Sequence, residues 1–280
     1  MSGVQAAGGE SHLAFRLVGH KLIAYDMLMA LTRGVSPAIH RCEIGFIERE
    51  PIDLAKANVQ HRQYEALLGE LGATVVSLPA EPDYPDSVFV EDPAVVVEEV
   101  AVMTRMGAES RRGESASLAG ALERYRPLRW MREPATLEGG DVMRVGKTLY
   151  VGLSHRTNRE GIAQLSAELA PLGYTVVPVA VRGALHLKTA CCYLGDGTIL
   201  ANREWLDLEP LGGYRILDVA PGEGRGANVL ALGGSVIIPA CFPRTAEILA
   251  AAGFRPRALD VSELMKAEAG VTCSSQIFAA

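Results

Sequence analysis

The stretch Leu67-Leu68-Gly69-Glu70-Leu71-Gly72-Ala73-Thr74-Val75-Val76-Ser77-Leu78 closes one periodicity and opens another. Upstream of it, Leu54, Ala57, His61, Tyr64, Leu68 and Leu71 recur at spacings of three and four, which predicts a helix over 53–71 with one buried face. Gly72 stops that helix, and 73–78 reads as a strand. The phrase returns. Residues 157–172 begin with a capping box, Thr157 with Glu160, and end at Gly173 before a strand over 174–179. Residues 244–252 end at Gly253 before 254–259. Two looser copies are 115–125 running into 127–130, and 205–211 with Gly212-Gly213 before 214–217.

Hairpins fill the gaps. Residues 88–97 turn at Glu98-Glu99 into 100–104, 141–145 at Gly146-Lys147 into 148–153, 187–194 at Gly195-Asp196-Gly197 into 198–201, and 229–232 at Gly233-Gly234 into 235–239. Gly and Asp supply the backbone freedom that tight hairpins need. A unit of hairpin, helix and strand thus recurs every roughly 40–55 residues, a period typical of closed or stacked repeats. Five units fill the chain. The expected fold is α/β: a ring of five units around a central pocket, one domain over 1–280 with few free edges.

Composition narrows the function. The 280 residues are 49% hydrophobic, enough for a core without disulfides or metals. The net charge of −6 and the lack of a basic block argue against nucleic acid. Five cysteines without a C-x-x-C pair argue against a disulfide framework or a zinc site and for reduced thiols in the cytoplasm. Residues 13–31 are apolar, but Arg16, His20, Lys21 and Asp26 interrupt them, so neither a signal peptide nor a membrane span is expected there. Part of this stretch reads as the first strand, and 1–12 as poorly ordered.

Each unit carries a polar group where its first hairpin strand begins: Glu91-Asp92, Glu138, His186, Asn228 and Cys273. The last lies in Gly270-Val271-Thr272-Cys273-Ser274-Ser275-Gln276-Ile277-Phe278, read as the final strand. Taken singly, Cys273 reads as a small buried hydrophobe and His186 as a satisfied core histidine. Together, five such groups at matching places in a ring point at one axial pocket. Carboxylates with a thiol and an imidazole suit a flat, cationic, hydrogen-bonding substrate such as a guanidinium. The thiolate would attack the central carbon, and the histidine would protonate the leaving amine and later deprotonate water. A metal held by Cys273, His186 and an acid is the weaker reading, because it would not need the nearby arginines. Arg111 and Arg156 could clamp an α-carboxylate, and Asp86 could meet an α-ammonium.

At the level of motifs, the chain resembles the dimethylarginine dimethylaminohydrolases of the guanidine-modifying amidinotransferase superfamily. The resemblance rests on Pro85-Asp86-Ser87-Val88-Phe89-Val90-Glu91-Asp92, Gly107-Ala108-Glu109-Ser110-Arg111-Arg112-Gly113-Glu114, Thr136-Leu137-Glu138-Gly139-Gly140-Asp141, Arg156-Thr157-Asn158 and Leu185-His186-Leu187-Lys188-Thr189. It implies a five-bladed α/β propeller of the pentein type and hydrolysis of Nω-methylated arginines to citrulline and a methylamine without a cofactor. By position, Cys273 resembles the nucleophile and His186 the proton donor. Glu138 resembles a catalytic acid that, with Asp92, holds the guanidinium. Asp86 and Glu91 would line the amino-acid end, Arg111 and Arg156 would form the carboxylate clamp, and Ile44 and Ala267 would complete substrate binding. Ile44 falls at the lid position of a loop, 36–51, that matches the family least. Glu268 stands where an aspartate is usual.

The expected partner is a small methylated arginine, with no nucleic acid or membrane and with a homodimer left open. An arginine deiminase or another guanidine hydrolase with the same Cys/His machinery is the near alternative. A non-catalytic arginine-binding module and a redox protein using Cys191 and Cys192 are the alternatives from other classes. Adjacent cysteines bridge only with strain, which disfavours the redox reading.

Overall fold

The computed structural model describes residues 13–18 and 21–280; the expectation for 1–12 lies outside the described residues. An antiparallel hairpin of β1 (Leu13–Val18) and β2 (Lys21–Asp26) forms its own small sheet. The ring follows. Its first blade has β3 (Leu28–Arg33), α1 (Leu54–Glu70) and β4 (Thr74–Leu78). The second has β5 (Ala94–Val96), β6 (Ala101–Met103), α2 (Glu114–Leu122) and β7 (Leu128–Trp130). The third has β8 (Val142–Val145), β9 (Thr148–Leu153), α3 (Arg159–Leu169) and β10 (Thr175–Ala180). The fourth begins with a helical turn, α4 (Leu187–Ala190), before β11 (Cys191–Gly195), β12 (Thr198–Ala201) and β13 (Arg215–Asp218). The fifth has β14 (Leu230–Leu232), β15 (Ser235–Pro239), α5 (Pro243–Ala251) and β16 (Pro256–Leu259). After α6 (Ser262–Met265), β17 (Gln276–Ala279) returns to pair with β3 and supplies the inner strand of the first blade.

Every blade is a three-stranded sheet, antiparallel between its inner and middle strands and parallel between its middle and outer ones. The middle strands explain why the ring holds together. Their residues alternate between two faces, and each face enters a different core. Ala101 and Met103 pack with the first blade and Val102 with the third; Leu149 and Val151 pack with the second and Tyr150 with the fourth. Ile199 and Ala201 face the third blade and Leu200 the fifth; Val236 and Ile238 face the fourth and Ile237 the first. Met29 and Leu31 face the second and Ala30 the fifth, which closes the circle. Strands buried on both faces read as unbroken apolar runs.

The helix-to-strand step is built identically in three blades. Gly72, Gly173 and Gly253 adopt φ of 98°, 82° and 93°. The next amide reaches back to the helix in each case: Ala73 to Leu68 (3.1 Å), Tyr174 to Leu169 (3.3 Å) and Phe254 to Leu249 (3.0 Å). This is a Schellman closure, and it requires the left-handed residue that glycine supplies without penalty.

Five local expectations change. Of the strand expected over 88–97, only Ala94–Val96 joins the ladder, and 88–93 are turns and irregular chain. Residues 205–211 form no α-helix, only a 3-10 turn over Glu209–Leu211, because Pro210 and Gly212-Gly213 leave too few residues to propagate one. The third-blade helix is capped by Asn158, whose side chain accepts from the Gly161 amide at 2.7 Å; the Thr157 hydroxyl donates to Asp141 instead, at 2.7 Å. Residues 187–190 are a helical turn and not the start of a strand, since the Leu187 amide is drawn to Asp141 (2.8 Å). The final strand starts at Gln276, so Cys273 lies in the irregular stretch before it.

Candidate active site

That last difference is general. Asp92, Glu138, His186, Asn228 and Cys273 all sit just before the inner strand of a blade, where the chain has not yet entered the ladder. The five positions correspond, but only Asp92, His186 and Cys273 border one cavity; Glu138 stands behind His186, bonded to it, and Asn228 turns instead to Thr272 and the Lys188 carbonyl. One cavity is walled by Glu43, Asp86, Phe89, Asp92, Arg111, Arg156, Leu185, His186, Ala267, Glu268, Ala269 and Cys273. Its volume is about 20 Å³, room for roughly one water.

His186 stands among the acids of the site. Its Nε2 lies 2.7 Å from Glu138 Oε2 and its Nδ1 4.0 Å from Asp92 Oδ1. Burial works against its charge, but Asp92, Asp141 and Glu138 outweigh burial and raise its pKa to about 9. It is therefore an imidazolium at neutral pH. Glu138 is fully buried and would by that alone be raised; hydrogen bonding and charge from His186, with the Arg111 and Arg156 cations, hold it well below the usual carboxylate range. Gly140 makes room for this group: a Cβ there would stand 2.5 Å from His186 Nδ1 and 2.8 Å from Asp92 Oδ1. Cys273 is half-buried, with its sulfur 3.5 Å from the Gly270 amide. Burial, then the carboxylates of Glu91 and Asp92, push its thiol up to about 12. A cation placed beside it would reverse that shift.

The arginines are already engaged. Arg111 is buried, donating to Asp92 Oδ2 (2.8 Å), to Glu114 (2.9 Å at the closest) and to the Phe89 carbonyl (3.3 Å). Arg156 donates to both oxygens of Glu138, at 3.2 and 3.3 Å. Both border the cavity, but in this arrangement each also fixes an acid of the site. Asp86 accepts from the Glu43 amide at 3.1 and 3.3 Å. Ala267 lines the cavity, and Ile44 packs on the same apolar cluster as Cys273 and Ala267.

Glu91 departs from expectation. Its carboxylate does not face this cavity. It takes the Lys188 ammonium and the Thr272 hydroxyl (2.8 Å), while its amide holds the Cys273 carbonyl (3.1 Å). Glu91 and Asp92 lie in a turn before β5, and their side chains diverge there: Asp92 meets Arg111 and borders the cavity of Cys273, while Glu91 turns away to Lys188 and Thr272. Glu91, Lys188 and Thr272 instead floor a second cavity of about 480 Å³, lined by all five inner strands and by Cys192.

Sequence reasoning missed three supporting acids. Glu114 braces Arg111, and burial raises it to about 7 despite that partner. The i,i+3 spacing from Arg111 was the available signal. Asp141 is fully buried and binds Ser154, Thr157 and the Leu187 amide, which anchors the segment that carries His186. Glu43 borders the cavity from the poorly matched loop, and nothing in its local pattern marked it.

Asp92, Glu138 and His186 also offer three ligand atoms within 4.8 Å of one another. The donor set fits a proton better than a metal: Nε2 is committed to Glu138, the ring is held protonated, and two arginines already balance the acids.

A family model described as N,N dimethylarginine dimethylhydrolase, eukaryotic, matches residues 46–208. The N(G),N(G)-dimethylarginine dimethylaminohydrolase of Streptomyces coelicolor is 43% identical over 248 residues, covering 88% of this chain and 95% of that protein. The chain belongs to the dimethylarginine dimethylaminohydrolase family. The family member of Pseudomonas aeruginosa is 38% identical over 228 residues, 81% of this chain and 90% of that one. Its solved structure, a Cys-to-Ser mutant complexed with citrulline, superposes with a TM-score of 0.84 at 34% identity, over 90% of this chain and 100% of that one. The N-terminal domain of the arginine dihydrolase ArgZ, at 19% identity and a TM-score of 0.77, shares the fold. The fold is thus the pentein propeller expected from the motifs. No helix of the described residues is long and apolar enough to cross a membrane.

Proposed function

We propose that the chain is a cytoplasmic hydrolase of one catalytic domain that converts Nω,Nω-dimethyl-L-arginine, and Nω-monomethyl-L-arginine, to L-citrulline and dimethylamine or methylamine. The observation that carries this is the juxtaposition of a thiol, a protonated imidazole and buried carboxylates around one cavity, with two arginines and Asp86 at its edge. The substrate guanidinium enters between Asp92 and Glu138, exchanging partners with the two arginines, which turn to its carboxylate while Asp86 takes its ammonium. The arriving cation offsets the burial and negative charge that keep Cys273 protonated. The thiol gives its proton to solvent, and the thiolate adds to the guanidinium carbon, its new C–S bond drawing the C=N π electrons onto nitrogen. His186 gives its proton to the departing amine, the C–N bond breaks, and a thiouronium adduct on Cys273 remains. Water enters the vacated place, His186 takes its proton, the C–S bond breaks, and citrulline leaves the regenerated thiol. Glu138 holds the imidazole by its Nε2 throughout. No step calls on a cofactor.

Incubation with asymmetric dimethylarginine should release citrulline, and a quenched turnover should show the adduct mass on a peptide containing Cys273. Label on Cys191, Cys192 or Cys241 instead would overturn the assignment. A faster rate with free arginine than with dimethylarginine would move the protein to the deiminase reading.

A further inference from the structure

Glu43 and Glu268 both wall the cavity that holds Cys273 and His186. The segment Glu43-Ile44-Gly45-Phe46 is neither helix nor strand, and carboxylates tie it at both ends. At one end Asp86 accepts from the Glu43 amide. At the other, Glu268 spans two amides, Oε2 taking Gly45 N–H at 2.7 Å and Oε1 taking Phe46 N–H at 2.8 Å. Little else holds this end: Ile44 is half-buried, and Phe46 is 41% exposed, with its ring centre 5.7 Å from that of His155. Bonds from a carboxylate to backbone amides are charge-assisted and directional, whereas a segment with so little buried apolar surface opens easily. Glu268 reaches the two amides from a left-handed backbone, φ 61°, that a glycine would adopt more readily. What a glycine cannot supply is the carboxylate.

We propose that Glu268 is a positioning residue that latches the Gly45 and Phe46 amides, so that its side chain sets how long the segment carrying Ile44 stays closed beside the thiol. It governs substrate entry and retention and takes no part in bond making. The inference depends on the function proposed above only in treating Cys273 as the nucleophile.

The test compares Glu268→Ala, Glu268→Gln and Glu268→Asp with the native chain. Amide hydrogen exchange at Gly45 and Phe46 should speed up by about 10-fold or more in Glu268→Ala, through the loss of two charge-assisted bonds. Iodoacetamide should alkylate Cys273 faster by a similar factor. KM for dimethylarginine should rise about 10-fold with kcat within about 3-fold, the pattern of lost ground-state binding. Glu268→Gln, which keeps one acceptor, should fall between, and Glu268→Asp should recover part of the protection. Native exchange rates at Gly45 and Phe46 in Glu268→Ala would overturn the latch, as would a fall in kcat with KM unchanged, which would place Glu268 in the chemistry. Exchange and alkylation report on the latch even if dimethylarginine proves not to be a substrate, so the two failures are distinguishable.

Discussion

Two cavities share the axis of the ring, and the larger is not where the reactive groups gather. The cavity lined by the inner strands holds about 480 Å³, against about 20 Å³ beside Cys273. Its floor is a closed account of charge: Lys188 and the Thr272 hydroxyl donate to Glu91, and the Asn228 amide donates to Thr272 and the Lys188 carbonyl. Its thiol, Cys192, is pushed up to about 12 by burial, like Cys273, but it has no imidazole beside it. The small cavity gathers an imidazolium, two arginines and several acids that can trade partners with an incoming zwitterion. Of these two, volume favours the cavity of the inner strands, whereas the density of exchangeable charge and a nearby proton donor favour the other.

The sharpest way to break this contrast is to remove one thiol at a time. Cys273→Ser and His186→Ala should each reduce citrulline release by about 10³-fold or more, in the range of a lost nucleophile or general acid. Cys192→Ser should leave it within about 2-fold, and comparable losses from both cysteine variants would erase the distinction. Next in size is the arginine that braces Asp92. Arg111→Ala strands Asp92 and Glu114 in the interior and should cost about 3–5 kcal/mol in urea unfolding; a stability within 1 kcal/mol of native would mean that the triad contributes little. Arg156, closer to solvent, should show its effect in kcat/KM for dimethylarginine, a loss of about 10–100-fold in Arg156→Ala from one charged contact, with a smaller penalty against agmatine, which has no carboxylate.

Lys188→Met connects the two regions. Without the ammonium, the Glu91 charge bears unopposed on Cys273, so the pH midpoint for alkylation of that thiol should move upward; an unchanged midpoint would show that the floor and the thiol are electrically separate. The pH profile has a sign of its own. His186 is raised from 6.5 to about 9, so its contribution to stability is complete below about pH 6.5 and is lost as pH rises through about 9. The native chain should therefore lose stability across that window relative to His186→Ala, and two parallel curves would contradict the ion pair with Glu138.

Most of the ring was legible in the sequence because local rules and packing agree there. Gly72, Gly173 and Gly253 each marked the end of a helix, and the hairpin turns between those phrases marked the paired strands. The failures occur where a side chain competes with backbone regularity. Asp141 draws the Leu187 amide out of the expected strand and takes the Thr157 hydroxyl from its expected cap. In the site, the types and rough places of Cys273, His186, Glu138, Asp92 and Asp86 could be read. The side on which Glu91 points could not, because the choice between two faces of an irregular segment is made by Lys188 and Thr272, distant in sequence. The reach of Glu268 to Gly45 and Phe46 was equally hidden, since it spans more than two hundred residues.

The pairing of β17 with β3 has a further consequence. The loop that presents Cys273 leads directly into that seam, and the Glu91 amide grips the Cys273 carbonyl at its edge. Unzipping four residue pairs would leave the other four blades standing but release the sulfur from its place. Loss of activity on warming should therefore precede loss of the bulk helical signal, with the seam acting as a fuse that disarms the thiol before the rest of the ring comes apart.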